Sequence, residues 1–354
     1  MYPFLFNHWF SKLKTQSLLE PRFCRVTFLT SLLVLAVPCI ACAQQLRIEQ
    51  STPRSSTRIK PPSVPAAAGP VVPGLRQGAI PQGIAYVPTK NAILISHYFE
   101  NAASCVSVVN MTTGQLVSCV TLQDHVGQPH HGHVGGLAVL GDSLFVASDQ
   151  RVFRYKLADF FMRNSESALA ASASQQSETK ASFCTATTKR LFVGEFAYGT
   201  KYPTESSHHL KDRAGVRKYA WVCGYDRNDR LGMPTCVLSV RQKVQGMCVS
   251  GDRVYLSVSY GRANRSRIVV YRNPIGDEAH KTVPLSNGTT VPLWFLDGKN
   301  YIGEIDCPPM SEGIVMIGDQ LAVLYESGAN RFQLGGKGPV DRLMLLDVSQ
   351  FKGR

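Results

Sequence analysis

The chain has 354 residues, 44% of them hydrophobic and 18% charged, with a formal net charge of +13. That balance excludes wholesale disorder and is ordinary for a globular protein. The positive excess favours acidic partners such as anionic glycans or lipopolysaccharide, and with no nucleic-acid motif beside it genomic DNA is not an expected partner.

Lys12, Lys14, Arg22 and Arg25 precede an apolar run, Val26–Ile40, that closes on Ala41-Cys42-Ala43. A basic leader, a short apolar run and a small-x-small end are the parts of a secretory signal peptide. Residues 1–43 are therefore expected to be cleaved, leaving a secreted or periplasmic chain with no transmembrane span. An uncleaved anchor is disfavoured because the run is short for a span and broken by Pro38. A lipoprotein attached at Cys42 would carry Cys39 where an aliphatic residue is wanted. Residues 44–74 are rich in Ser, Thr and Pro, carry Arg54, Arg58 and Lys60, and read as a flexible basic linker.

Beyond the linker the sequence repeats itself. Four segments open alike: Gln82-Gly83-Ile84-Ala85, Gly135-Gly136-Leu137-Ala138, Gln245-Gly246-Met247-Cys248 and Glu312-Gly313-Ile314-Val315. The last three turn at Gly141-Asp142, Gly251-Asp252 and Gly318-Asp319 and return as a second apolar strand. The first turns at Pro88–Asn91 and returns as Ile93-Leu94-Ile95. A weaker copy opens at Ala181–Thr185 and returns as Leu191-Phe192-Val193. Third strands follow at Val106–Asn110, Val152–Leu157, Ile268–Arg272 and Leu343–Val348. Short strands with regular turns and little helical periodicity argue for an all-β fold. Four-stranded units repeated around an axis make a β-propeller. We expect one propeller domain over residues 75–354, monomeric and of five blades. Six is the alternative, because 157–182 and 273–306 have room for more strands. Leu75–Ile80 is the expected fourth strand of the last blade.

Of the ten cysteines, Cys105 with Cys119 and Cys223 with Cys236 each flank a turn almost symmetrically. Both pairs are candidate cross-strand disulfides. Cys184, Cys248 and Cys307 are left over, and for at least one of them a buried, unpaired site is the expectation.

The repeated Gly-Ile-Ala-type openings resemble the broad group of bacterial secreted propellers that includes the NHL, SMP-30/gluconolactonase and strictosidine synthase-like families. His133–Gly136 and Ser311–Ile314 resemble segments of uncharacterised secreted members. The resemblance implies the architecture. The lactonases' Glu, Asn and Asp metal ligands do not align with this chain, so no catalytic set carries over.

In a blade the first strand lines the channel and the second runs antiparallel beside it. First-strand starts and second-strand ends therefore meet at one face. This places Gln82, His133, Gln245 and Glu312 with Asp149, Ser259 and Glu326 at the channel mouth; the last three each follow a Gly-Asp aspartate by the same interval. The first and third copies lack Gly-Asp, which leaves His97 and Glu195 open by one residue, and one residue reverses the side to which a side chain points. Arg265 and Arg331 end two similar loops above that mouth. His133, Glu195, Glu312 and Glu326 are candidate ligands for calcium or zinc. The leading function is non-catalytic binding of an acidic or polar ligand, or of a protein partner, at this face. The alternative is a metal-dependent hydrolase of lactones, esters or glycosides. No Gly-x-Ser-x-Gly, His-Glu-x-x-His, Walker or dinucleotide fingerprint is present, so no catalytic residue is assigned.

Overall fold

Strands with apolar residues on both faces need cover on both sides, and stacking blades around an axis supplies it. The computed structural model describes residues 48–53, 59–162, 167–227, 232–334 and 338–351. The expected leader and the basic residues Arg54 and Arg58 lie outside the described residues.

The described strands form five blades around a central channel. Blade one is Ile80–Val87, Ala92–Tyr98, Cys105–Asn110 and Leu116–Gln123. Blade two is Gly136–Leu140, Ser143–Ser148, Arg151–Lys156 and Ala173–Gln176. Blade three is Phe183–Ala186, Arg190–Gly194, Ala220–Asp226 and Cys236–Val240. Blade four is Val244–Ser250, Arg253–Val258, Ser266–Arg272 and Tyr301–Cys307. Blade five is Ser311–Ile317, Gln320–Tyr325, Arg342–Asp347 and, from the other end of the chain, Ala66–Val71. One hydrophobic cluster fills each of the five spaces between neighbouring blades.

The intervals with room for a sixth blade hold something else. Ala168–Ala170 adds in parallel to the outer edge of blade one. The hairpin Lys281–Pro284 and Thr290–Phe295 adds in parallel to blade three. Ring closure also differs from expectation. Ala66–Val71 pairs with Arg342–Asp347, whereas Leu75 and Ala79 are buried in the segment that leads into blade one. Among the described residues no helix is long and apolar enough to cross a membrane.

The two candidate disulfides are not formed, and all seven described cysteines are buried and free. Cys223 lies opposite Val237 while Cys236 lies opposite Gly224. The two thiols therefore point to opposite faces of blade three, one into each neighbouring cluster. In blade one a register slip between Val108 and Val109 sets Cys105 opposite Thr121 and Cys119 opposite Ser107. These two share a face diagonally, with no disulfide between them. Burial pushes the thiols of Cys184, Cys248 and Cys307 up to about 12, and a protonated buried thiol is a poor nucleophile. Iodoacetamide at pH 8 should leave all seven unmodified in native protein and modify all seven in guanidinium. Mass spectrometry of both samples checks this.

Candidate functional site

The inner strands of blades one, four and five each carry a one-residue register slip: between Pro81 and Ile84, Val244 and Gly246, and Ser311 and Ile314. Such a bulge re-aims the side chain it carries. Here it presents Gln82, Gln245 and Glu312 to the channel. The glycine after each has a separate cause, because neighbouring inner strands abut there. A Cβ on Gly83 would stand 2.7 Å from the Leu137 nitrogen, and one on Gly313 would stand 3.0 Å from the Gln82 oxygen. On Gly136 it would stand 2.1 Å from the Cys184 nitrogen. The repeated Gly-Ile-Ala pattern is thus a closure device for a narrow ring.

A cavity of about 930 Å³ opens at this mouth. Inner-strand starts contribute Gln82, Gly135, Ser182, Gln245 and Glu312, and second-strand ends contribute Tyr98, Asp149, Phe196, Ser259 and Glu326. His133, Arg331, Lys180, Lys201, Tyr202, Tyr260, Arg262 and Phe332 complete much of its wall. Eight sequence candidates therefore meet: Gln82, His133, Asp149, Gln245, Ser259, Glu312, Glu326 and Arg331.

Three do not. His97 points away from the cavity, fully buried, with Nε2 2.8 Å from Ser107 Oγ. Burial drives its pKa down to about 3. Glu195 is also buried. Its Oε1 lies 2.6 Å from His208 Nδ1 and accepts the Trp221 amide at 3.0 Å. It pins the long loop rather than facing the channel. In both copies the next residue, Tyr98 or Phe196, takes the channel position, as a one-residue shift along a strand requires. Arg265 donates to the Lys60 and Pro61 carbonyls at 3.4 and 3.0 Å and so holds the N-terminal segment. Arg262 stands at the cavity in its place, its guanidinium 5.0 Å from the Phe332 ring. The metal set His133, Glu195, Glu312 and Glu326 is accordingly split. Among the described residues no three His, Cys, Asp or Glu side chains gather as metal ligands.

The floor of the cavity is a chain of four side chains. Gln245 Nε2 donates to Glu312 Oε1 at 3.0 Å, and Gln82 Nε2 donates to Glu326 Oε2 at 3.2 Å. Glu312 and Glu326 are hydrogen-bonded to each other. Burial and the neighbouring Glu326 charge push the Glu312 carboxyl well above the usual carboxylate range. Burial raises Glu326 to about 7 against the opposing pull of Gln82, Glu312, Arg331 and Arg262. Arg331 forms its ion pair with Glu100 on the rim. Tyr98 stacks on His133 at 4.2 Å. Opposite them, Tyr198 and Tyr260 lie 4.3 Å apart, with Lys201 and Lys243 ammonium groups over the tyrosine faces. A second cavity of about 550 Å³ adjoins this one and shares His133 and Asp149 with it. In it His130 Nε2 is 3.1 Å from Ser148 Oγ.

No family model and no curated protein matches the chain. Several solved structures are similar at low identity. Hydrazine synthase of Kuenenia stuttgartiensis is 11% identical over 77% of this chain, with a TM-score of 0.37; the match spans 59% of that chain. Glutaminyl cyclase of Myxococcus xanthus is 8% identical over 81% of this chain and 97% of its own, with a TM-score of 0.39. The Cps50 (Swd1) β-propeller domain of Myceliophteria thermophila is 9% identical over 80% of this chain and 100% of its own, with a TM-score of 0.38. Likenesses this distant bear on neither ligand nor chemistry.

Arg331 and the loop that carries Tyr202 were expected at this face, whereas Tyr260, Phe332, Lys180 and Arg262 were not among the candidates. Tyr260 was within reach of the sequence reading, since it directly follows Ser259, a residue already placed at the mouth. Lys180, Lys201 and Arg262 lie in loops whose course no periodicity fixes.

Proposed function

We propose that this propeller is a secreted or periplasmic binding protein whose channel mouth takes a polar ligand bearing anionic groups. The observation that carries the reading is the composition of the 930 Å³ cavity: a carboxyl pair capped by two glutamine amides, with Lys180, Lys201, Arg262 and Arg331 around it. Burial raises both carboxyls, Glu312 well above the usual range and Glu326 to about 7, so near neutrality the pair carries less than its full negative charge beside these cations. Guanidinium groups suit carboxylate or phosphate. Tyr98, Tyr202, Tyr260 and Phe332 offer faces for the apolar side of a sugar or other ring. The overall charge of +13 has the same sign as this field and would speed the approach of an anion.

Calorimetric titration with trigalacturonate, and with the neutral chitotriose as control, tests the reading. The acidic sugar should bind more tightly, and its affinity should fall with added salt. Lys201→Gln and Arg331→Gln should each weaken it about tenfold, roughly 1.4 kcal/mol. Equal binding of both sugars, or no effect of either substitution, would sink the assignment.

A further inference from the structure

The smaller cavity, of about 550 Å³, differs in character from the larger one beside it. Asp124 and Asp149 stand there against Arg151, with four imidazoles among them. Burial holds the His130 and His133 imidazoles below their ordinary value, so both are neutral near pH 7. A neutral imidazole carries one donor and one acceptor, and a carboxylate only accepts. Such a lining suits sugar hydroxyls, which donate and accept, while its two carboxylates repel a further anion.

The two cavities meet along His133 and Asp149, which line both. The backbone at that junction is held in an uncommon shape. Val134, Asp149 and Gln150 have φ values of 44°, 50° and 63°, a left-handed conformation that is costly for a β-branched residue such as Val134. The Val134 amide donates to Ser148 Oγ at 3.2 Å, and its carbonyl accepts from Ser96 Oγ at 2.6 Å. Strain that the surroundings hold in this way gathers at ligand clamps. The smaller cavity is braced as well. Arg151 donates to Ser174 Oγ at 2.7 Å, and Ser174 Oγ lies 3.0 Å from His125 Nδ1. A Cβ on Gly132 would collide with Asp149 Oδ2, Ser148 Oγ and His130 Nε2, so three polar side chains close around a point that only glycine leaves free.

We infer that the smaller cavity is a second subsite, which takes the neutral sugar joined to an acidic sugar held at the channel mouth. The ligand class is then an oligosaccharide in which a uronate neighbours a neutral residue. The inference rests on the larger cavity binding the acidic sugar. A sugar tethered to an anchored uronate meets the second subsite as an intramolecular partner, so hydroxyl contacts too weak to hold a free sugar still add to affinity.

Calorimetry on the full chain tests this with glucuronate, xylotriose and glucuronosyl-xylotriose. The joined sugar should bind about tenfold more tightly than glucuronate or better, and xylotriose alone should bind weakest. His125 and His131 are exposed and line the smaller cavity but not the larger. A variant carrying His125→Ala and His131→Ala should melt with the wild type and bind glucuronate as before, with the gain from the xylotriose part reduced to about twofold. Digalacturonate should gain less over galacturonate, because its second carboxylate would meet Asp124 and Asp149. If the xylotriose part adds nothing, if its gain survives the double variant, or if digalacturonate gains as much, the second subsite is overturned and the anion reading stands. If no acidic probe, trigalacturonate included, binds more tightly than a neutral one, both fall.

Discussion

Gly136→Ala should destabilise the propeller by more than about 4 kcal/mol. The added carbon would stand 2.1 Å from the Cys184 nitrogen, 2.6 Å from the Phe183 carbonyl carbon and 2.7 Å from the Phe183 Cα. All three are backbone atoms of the next inner strand. No rotamer can relieve them, so blade two and blade three must part, and each shares a hydrophobic cluster with the other. Overpacking ordinarily costs about 1–3 kcal/mol because side chains give way; here none is available to move. In a domain of this size each kcal/mol lowers Tm by roughly 2–4 °C, so a fall of about 10 °C or more is expected. Gly298→Ala is the control, since nothing lies within 4 Å of its added carbon. Thermal unfolding by circular dichroism of both variants decides the matter, and a Gly136→Ala protein that melts with the wild type would refute the closure argument.

The second large effect is a dependence of stability on pH that Glu326→Gln should reduce. Glu312 and Glu326 both have raised folded pKa values, from burial above all. A carboxyl that holds its proton more tightly when folded adds stability that is fully present below its unfolded pKa of about 4.5 and is lost as pH rises through the folded value. For Glu326 the window runs from about 4.5 to about 7, a loss on the order of 3 kcal/mol by pH 8. The charged and titratable groups that line the same cavity include Tyr98, His133, Asp149, Lys180, Lys201, Arg262 and Arg331. The two arginines keep their charge throughout, so they set the level but not the slope. His97 works in the opposite sense: it folds neutral, and its contribution is lost as pH falls below about 6.5 toward its folded value of about 3. Glu326→Gln should therefore leave stability near pH 5 almost unchanged and raise it at pH 8. Urea titrations at the two pH values measure this. A variant that is weaker at both would show the pair to be a plain brace.

The blades were legible in the sequence because their hairpins turn at Gly-Asp and their inner strands need glycine where the ring is tight. The same turns fixed Asp149, Ser259 and Glu326 to the residue. Where Gly-Asp is missing the count slipped by one, and His97 and Glu195 fell on the buried side while Tyr98 and Phe196 took the channel. The closing strand was hidden for a different reason. Ala66–Val71 is the outermost strand of blade five, with its first three residues exposed. Such a strand needs no large apolar residues, so its composition cannot be told from that of a linker. Glu312 and Glu326 were both foreseen at the mouth; their adjacency comes from a single hairpin of blade five, in which Ser311 lies opposite Tyr325 and the strand bulges before Ile314, and no residue pattern marks that bulge.

The position of that closing strand has a consequence for how the molecule is made. Ala66–Val71 is synthesised before any blade, yet its partner Arg342–Asp347 comes after four of them. During that interval the early segment has no edge to join, and when the last blade emerges its third strand is open until the early segment returns. Joining the two ends is the most distant pairing in the fold, and distant pairings are slow. An unpaired strand edge is also a template for other chains. The hazard in the life of this protein therefore falls at the end of its synthesis, when four blades are complete and the fifth is waiting for the start of the chain.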